Sequence, residues 1–113
     1  MGKLVPREES FDEMSRAFKD AYGCSSNGYY EQSILLYKRA IEQDNHNFAA
    51  WNNIAVAKIF IALKDRNVDL LDEAAGDLKE AIRIVNEVYD YSEPYALAVN
   101  NLAWLEGQKA NLN

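Results

Sequence analysis

Apolar side chains recur at three- and four-residue steps along most of this chain, and short polar segments interrupt them at four places. That spacing puts apolar residues on one face of an α-helix, whereas strands would need strict alternation and tight turns between paired runs. The interruptions fall near residues 25–28, 44–47, 65–69 and 89–93. The pattern therefore predicts an all-α chain of about five helices joined by short connections.

The ends of the predicted helices are marked by residues with known capping preferences. Ser10 stands three residues before Glu13, which is the capping-box spacing, so the first helix is predicted to start there. The third helix, from Phe48 to about Lys64, carries apolar residues on both sides and is expected to be covered on both. The fourth is predicted over about 69–88, and Pro94 suits the first turn of the fifth.

The composition indicates one small folded domain. The chain has 113 residues, of which 49% are hydrophobic; residues 1–9 are interpreted as a flexible tail and residues 10–113 as the domain. With 18 acidic and 12 basic side chains the net charge is −6, which opposes binding to nucleic acid. No stretch has the roughly 18 apolar residues of a membrane span. Cys24 alone cannot form an internal disulfide, so nothing requires an oxidising compartment. From these two observations we expect a cytoplasmic protein without membrane contact.

Two stretches of the chain are nearly the same, because residues 51–57 read WNNIAVA and residues 99–105 read VNNLAWL. Aligning Ala21 with Ala55 gives a further offset of 34 residues, which is the period of the tetratricopeptide repeat. The remaining matches are Gly28-x-Tyr30-x-x-Ser33-x-x-x-Tyr37-x-x-Ala40, Trp51-x-x-Ile54-Ala55, Ala74-x-x-x-Leu78-x-x-Ala81 and Val99-x-x-Leu102-Ala103. The chain thus resembles the tetratricopeptide repeat family, an α-solenoid of antiparallel helix pairs, with units of about 14–47, 48–93 and 94–113. The last unit would be a half-repeat or a capping helix.

The resemblance has two departures, each an excess of seven residues over the family's spacing. One lies around residues 64–71 and the other around residues 87–94. Added to the period of 34 residues, the two excesses give the 48 residues that separate the two asparagine pairs.

The resemblance implies a non-catalytic adaptor or scaffold, in which the first helix of each unit lines a concave groove that binds a peptide or a helix of another protein. The implied groove residues are Phe18, Tyr22, Asn52, Asn53, Val56, Phe60, Asn100, Asn101 and Trp104. An asparagine side chain can pair with both groups of a peptide unit, so the amides are candidates for holding a partner's backbone. Two interpretations stay open at this point. Asn53 and Asn101 could instead bond a neighbouring helix, and Phe18, Tyr22 and Phe60 could be ordinary packing residues.

Family members that bind chaperone tails hold a terminal carboxylate with a clamp of lysine, arginine and asparagine. Only the central asparagine is matched, by Asn53, and the other four places are occupied by Phe18, Tyr22, Leu97 and Asn101. Without a cation nothing neutralises a carboxylate, so we predict that chaperone C-terminal tails do not bind.

Catalytic and metal chemistry find no support in the sequence. The lone histidine, His46, lies in a connection among Asp and Asn residues, and no nucleophile and base can be paired by spacing. Residues 65–69 open like a calcium loop, but Leu70 replaces the required glycine and Gly76 replaces the bidentate glutamate. We therefore expect no enzymatic activity, no metal and no cofactor.

An alternative hypothesis concerns assembly instead of partner binding. Because the third unit has only its first helix, the apolar side with Leu97, Leu102 and Leu105 is expected to be half covered. This helix could act as an amphipathic cap, or it could form a homodimer by packing against a second copy.

Overall fold

The computed structural model describes residues 8–90 and 95–112, with side chains from residue 17 onward. Five α-helices follow one another, and a π-helical turn continues the fourth. The elements are α1 (Glu8–Ser26), α2 (Tyr30–Gln43), α3 (Phe48–Asp65), α4 (Val68–Arg83), the π-helical turn (Ile84–Val88) and α5 (Ala96–Leu112). The all-α prediction is confirmed, and each helix packs antiparallel on the next.

Short polar residues set the helix boundaries. The side chains of Asn47 and Asn67 accept hydrogen bonds from the backbone N–H groups of Ala50 and Leu70, at 3.0 and 3.1 Å. These are N-caps, which satisfy donors that a helix start leaves unpaired. Between α1 and α2, Gly28 has a φ of +83°, which glycine adopts without the steric cost that other residues meet.

Two predicted boundaries differ from the structure. α1 begins at Glu8, two residues before the predicted capping box, so Glu8 and Glu9 belong to the helix and not to a tail. The side chains of Ser10 and Glu13 lie outside the described ones, as does Pro94. The fourth helix is α-helical only to Arg83 and then widens into the π-helical turn, where the Tyr89 N–H bonds the Ile84 carbonyl at 3.1 Å.

The core consists of two clusters that share α3. One lies between α1, α2 and α3, and the other lies between α3, α4 and α5; their buried members include Ala21, Tyr37, Ala50 and Ile54 in the first and Ala55, Leu71, Leu78 and Leu105 in the second. Each large side chain contributes roughly 1.5–3 kcal/mol by burial. The prediction that the third helix is covered on both sides is therefore confirmed.

α3 also touches α1 and α5, so the odd-numbered helices lie side by side along one face of the molecule. At one end, the Phe48 ring meets the rings of Tyr89 and Tyr95 edge-on, with centroids 5.5 and 5.1 Å apart. These contacts join the start of α3 to the connection that leads into α5. No helix in the described part of the chain is long and apolar enough to cross a membrane.

Candidate functional site

The candidate site lies where α3 and α5 run next to each other in the same direction. The Asn101 side chain on α5 donates a hydrogen bond from Nδ2 to Oδ1 of Asn52 on α3, at 3.1 Å. From this contact, Val56 is one turn further along α3 and Trp104 is one turn further along α5. At a rise of 1.5 Å per residue, the two lie about 6 and about 4.5 Å beyond the asparagines. They therefore stand at neighbouring levels of the same face.

Large apolar side chains are exposed along this face. Phe60 on α3 is 46% exposed, and Leu97 and Trp104 on α5 are 52% and 49% exposed. Tyr22 on α1, which the family resemblance assigns to the same face, is 60% exposed. Together with the half-buried Val56 they form the surface called the groove below. All five are uncharged, and Gln108, which follows Trp104 on the same stripe, is uncharged as well.

Three asparagine amides form a chain of hydrogen bonds under the groove. Asn52 accepts from Asn101 and donates from its own Nδ2 to Oδ1 of Asn53, at 3.1 Å, and its side chain is only 1% exposed. Burial raises the pKa of the Tyr37 hydroxyl, and the nearby side chains of Asn53 and Ser25 lower it by a smaller amount. The amide chain thus leads from α5 through α3 towards α2.

This arrangement changes the interpretation of the four asparagines. Asn52 was expected to line the groove, but it is buried and both ends of its amide are bonded within the protein. Asn101 bonds the neighbouring helix, which was one of the two interpretations that the sequence left open. Asn100 is exposed. A continuous set of amides offered to a partner's backbone is therefore not what the structure presents.

The aromatic residues of the site divide between packing and exposure. Phe18 is half-buried, and its ring meets Tyr37 edge-on at 5.7 Å, so it belongs to the core between α1 and α2. Phe60 remains exposed on one side while its other face stacks on Tyr30, with centroids 5.0 Å apart. The stack restricts the Phe60 ring before any partner binds, which reduces the side-chain entropy that Phe60 would lose on binding.

Two residues of the site were not on the predicted list. Tyr30 supports Phe60 from α2, and no sequence spacing connects the two because they lie on different helices. Leu97 occupies one of the family's clamp positions, and it stands four residues before Asn101 and so shares its helix face.

The open side of α5 is not the one that the leucines predicted. Leu105 is fully buried and Leu102 is half-buried, so only Leu97 of the three is exposed. The exposed side instead carries two alanines with a valine and a glutamate, namely Val99, Ala103, Glu106 and Ala110. The expectation of a half-covered leucine surface is therefore wrong in its residues.

A buried ion pair joins α3 to α4. Lys58 Nζ lies 2.7 Å from Asp77 Oδ2 and 3.5 Å from Glu73 Oε1, and the side chains of Lys58 and Asp77 are only 10% and 13% exposed. Burial raises the pKa of Asp77, and Lys58 opposes that rise. The partners of Lys58 could not be identified from the sequence, because they lie on a different helix.

The residues considered above for metal binding and catalysis make local contacts that shape the helix ends. Asn67, within the segment that resembles the start of a calcium loop, caps α4, and the His46 N–H bonds the Asp44 carboxylate at 3.0 Å. Among the described residues, no group of three or more His, Cys, Asp or Glu is arranged to hold a metal ion.

No protein-family model matches this chain, and no curated protein matches its sequence. The structure by itself defines the class of protein, an all-α chain of antiparallel helix pairs whose odd-numbered helices line one face. Any further assignment depends on the residues of that face.

Proposed function

We propose that this protein is a non-catalytic adaptor that binds a peptide or a helix of another protein in its groove. The observation that carries the proposal is the row of exposed apolar residues on α3 and α5, with Phe60 and Trp104 about half exposed. Exposed apolar patches of this kind commonly mark protein interaction sites, and tryptophan and tyrosine are enriched among residues that dominate binding. A relationship to the tetratricopeptide repeat family, in which the same helices line the binding groove, belongs to the proposal.

The proposal assigns apolar contact to the groove residues and a supporting role to the asparagines. Because the amides of Asn52 and Asn101 bond each other, they hold α5 against α3 and thereby set the spacing of Val56 and Trp104. The partner is a protein and not a nucleic acid, since a net charge of −6 repels phosphate. A chaperone tail remains excluded from the proposal, because its carboxylate would find no cation in the groove.

The test is to capture partners from cells with the wild-type chain and with three variants. Phe60→Ala and Trp104→Ala remove groove side chains, and Leu35→Ala removes a leucine that is 67% exposed on α2, away from the groove. The proposal expects proteins that are captured by the wild type and by Leu35→Ala but lost from both groove variants. Once such a partner is purified, its affinity for Trp104→Ala should be at least about 30-fold lower than for the wild type. A loss of about 2 kcal/mol at a dominant binding residue has this effect.

Two results would contradict the proposal. A partner that binds all four proteins equally would place the interaction elsewhere on the surface. Loss of binding together with loss of helical circular dichroism in Trp104→Ala would show that the tryptophan is needed for folding.

A further inference from the structure

The 48-residue offset between the two asparagine pairs can be followed into the packing of α3 and α5. Residues of α3 that face the preceding helices are buried, and so are their counterparts on α5: Ala50 corresponds to Ala98, and Ala57 corresponds to Leu105, all at 1% exposure or less. The two helices therefore dock on the preceding part of the chain with the same face.

The opposite face behaves differently in the two helices. On α3 this face packs against α4, and Ala55, Lys58 and Ala62 are buried. The residues 48 positions later, Ala103, Glu106 and Ala110, are all exposed. Within the described residues no helix packs on this side of α5, whereas α4 covers the corresponding side of α3.

The charge on the open face is the reverse of the charge on α3. Lys58 Nζ forms ion pairs with two carboxylates of α4, those of Asp77 at 2.7 Å and Glu73 at 3.5 Å. Its counterpart Glu106 is acidic, and the next basic residue on α5, Lys109, is engaged by Asp72 at 2.6 Å. A helix lying on α5 as α4 lies on α3 would bring its charged residues to Glu106.

We propose that the open face of α5, formed by Val99, Ala103, Glu106 and Ala110, binds an α-helix of a partner protein in the way that α3 binds α4. The small residues Ala103 and Ala110 admit a close approach, as Ala55 and Ala62 do on α3. The partner helix carries small residues at the positions of Ala74 and Ala81, a large apolar residue at that of Leu78, and lysine or arginine at those of Glu73 and Asp77.

A second copy of the chain is a poorer fit than a partner of this kind. Each copy brings Glu106 on the same face, and the face has no free cation to place opposite it. α4 itself has acidic residues at the two positions that would meet Glu106, so its own sequence has the wrong charge for this site.

The test uses two peptides that differ only in charge. One has the sequence of residues 67–88, and the other has the same sequence with Glu73→Lys and Asp77→Lys. Both carry a fluorescent label, and their binding to the full chain is followed by anisotropy. The basic peptide should bind about tenfold more tightly than the native sequence, because opposite charges at close range favour it and like charges oppose the other. In Glu106→Lys the preference should reverse.

A helix of this length is only marginally stable alone, so the same two segments are also joined to the C-terminus through a flexible linker. The chain that carries the basic segment should melt several degrees higher than the one that carries the native segment. The difference should change sign in Glu106→Lys, as the preference of the free peptides does.

Several outcomes would overturn the proposal. Equal behaviour of the two segments in both formats would do so, as would a preference that survives Glu106→Lys. Binding that is lost in Phe60→Ala would assign the peptide to the groove. A concentration-dependent dimer of the unmodified chain that Ala103→Arg dissociates would assign the face to a second copy.

Discussion

The amide chain beneath the groove can be tested by comparing Asn101→Ala with Asn100→Ala. Asn101 donates to Asn52, whose side chain is 1% exposed, whereas Asn100 is exposed one position earlier on the same helix. Both changes gain the same helix propensity, so the difference between the two variants isolates the hydrogen bond. Removing the donor leaves a buried acceptor unsatisfied, which costs about 1–3 kcal/mol. Since Asn101 is only half-buried, water can partly replace it, and we expect a value near the lower end, about 1.5 kcal/mol.

The measurements are urea unfolding, which gives the free energy of unfolding, and thermal unfolding, both of the two variants and the wild type and both followed by circular dichroism. An unfolding entropy of about 2.1 cal/mol/K per residue, applied to this chain, converts 1.5 kcal/mol into a melting temperature lower by about 6 °C. Asn100→Ala should stay within about 0.5 kcal/mol of the wild type. Equal stability of the two variants would refute the inference that Asn101 holds α5 against α3.

Three further predictions concern stability and assembly. Gly107→Ala should raise the free energy of unfolding by about 0.5–1 kcal/mol, because a Cβ there meets no atom within 4 Å, whereas Gly28→Ala should lower it because the φ is +83°; thermal melts of the pair compare them. Asp77→Ala should cost about 3 kcal/mol, since it leaves Lys58 buried without its nearest partner, and Lys58→Met in the same background should recover most of it; urea titrations would refute this if the single variant were as stable as the wild type. Sedimentation equilibrium should give the 12.9 kDa monomer at micromolar concentration, and a rise in mass with concentration would favour the homodimer.

Helix positions were predictable because they depend on local chemistry. The breaks at Asn47 and Asn67 were visible as polar clusters, and in the structure these side chains cap α3 and α4. The start of α1 was predicted two residues late, since a capping box is only one of the ways to begin a helix. The π-helical turn after Arg83 left no mark in the apolar spacing, which continues through it.

The candidate site was predictable only in part, because side-chain partners depend on distances between helices. The family resemblance implied that Phe60 and Trp104 line the inward side, and both are exposed. The resemblance could not distinguish Asn52 from Asn100, although one is buried beneath α5 and the other is exposed. The difference arises because α5 lies against α3 at Asn52, whereas no described helix lies against Asn100.

Binding calorimetry with a purified partner measures how much of the affinity depends on the groove. The titration compares the wild type, the double variant Phe60→Ala with Trp104→Ala, and Leu35→Ala, each checked for unchanged helicity. Affinity should fall at least about 30-fold in the double variant and stay constant in Leu35→Ala. Equal affinity in all three proteins would contradict the claim that the groove is the binding site.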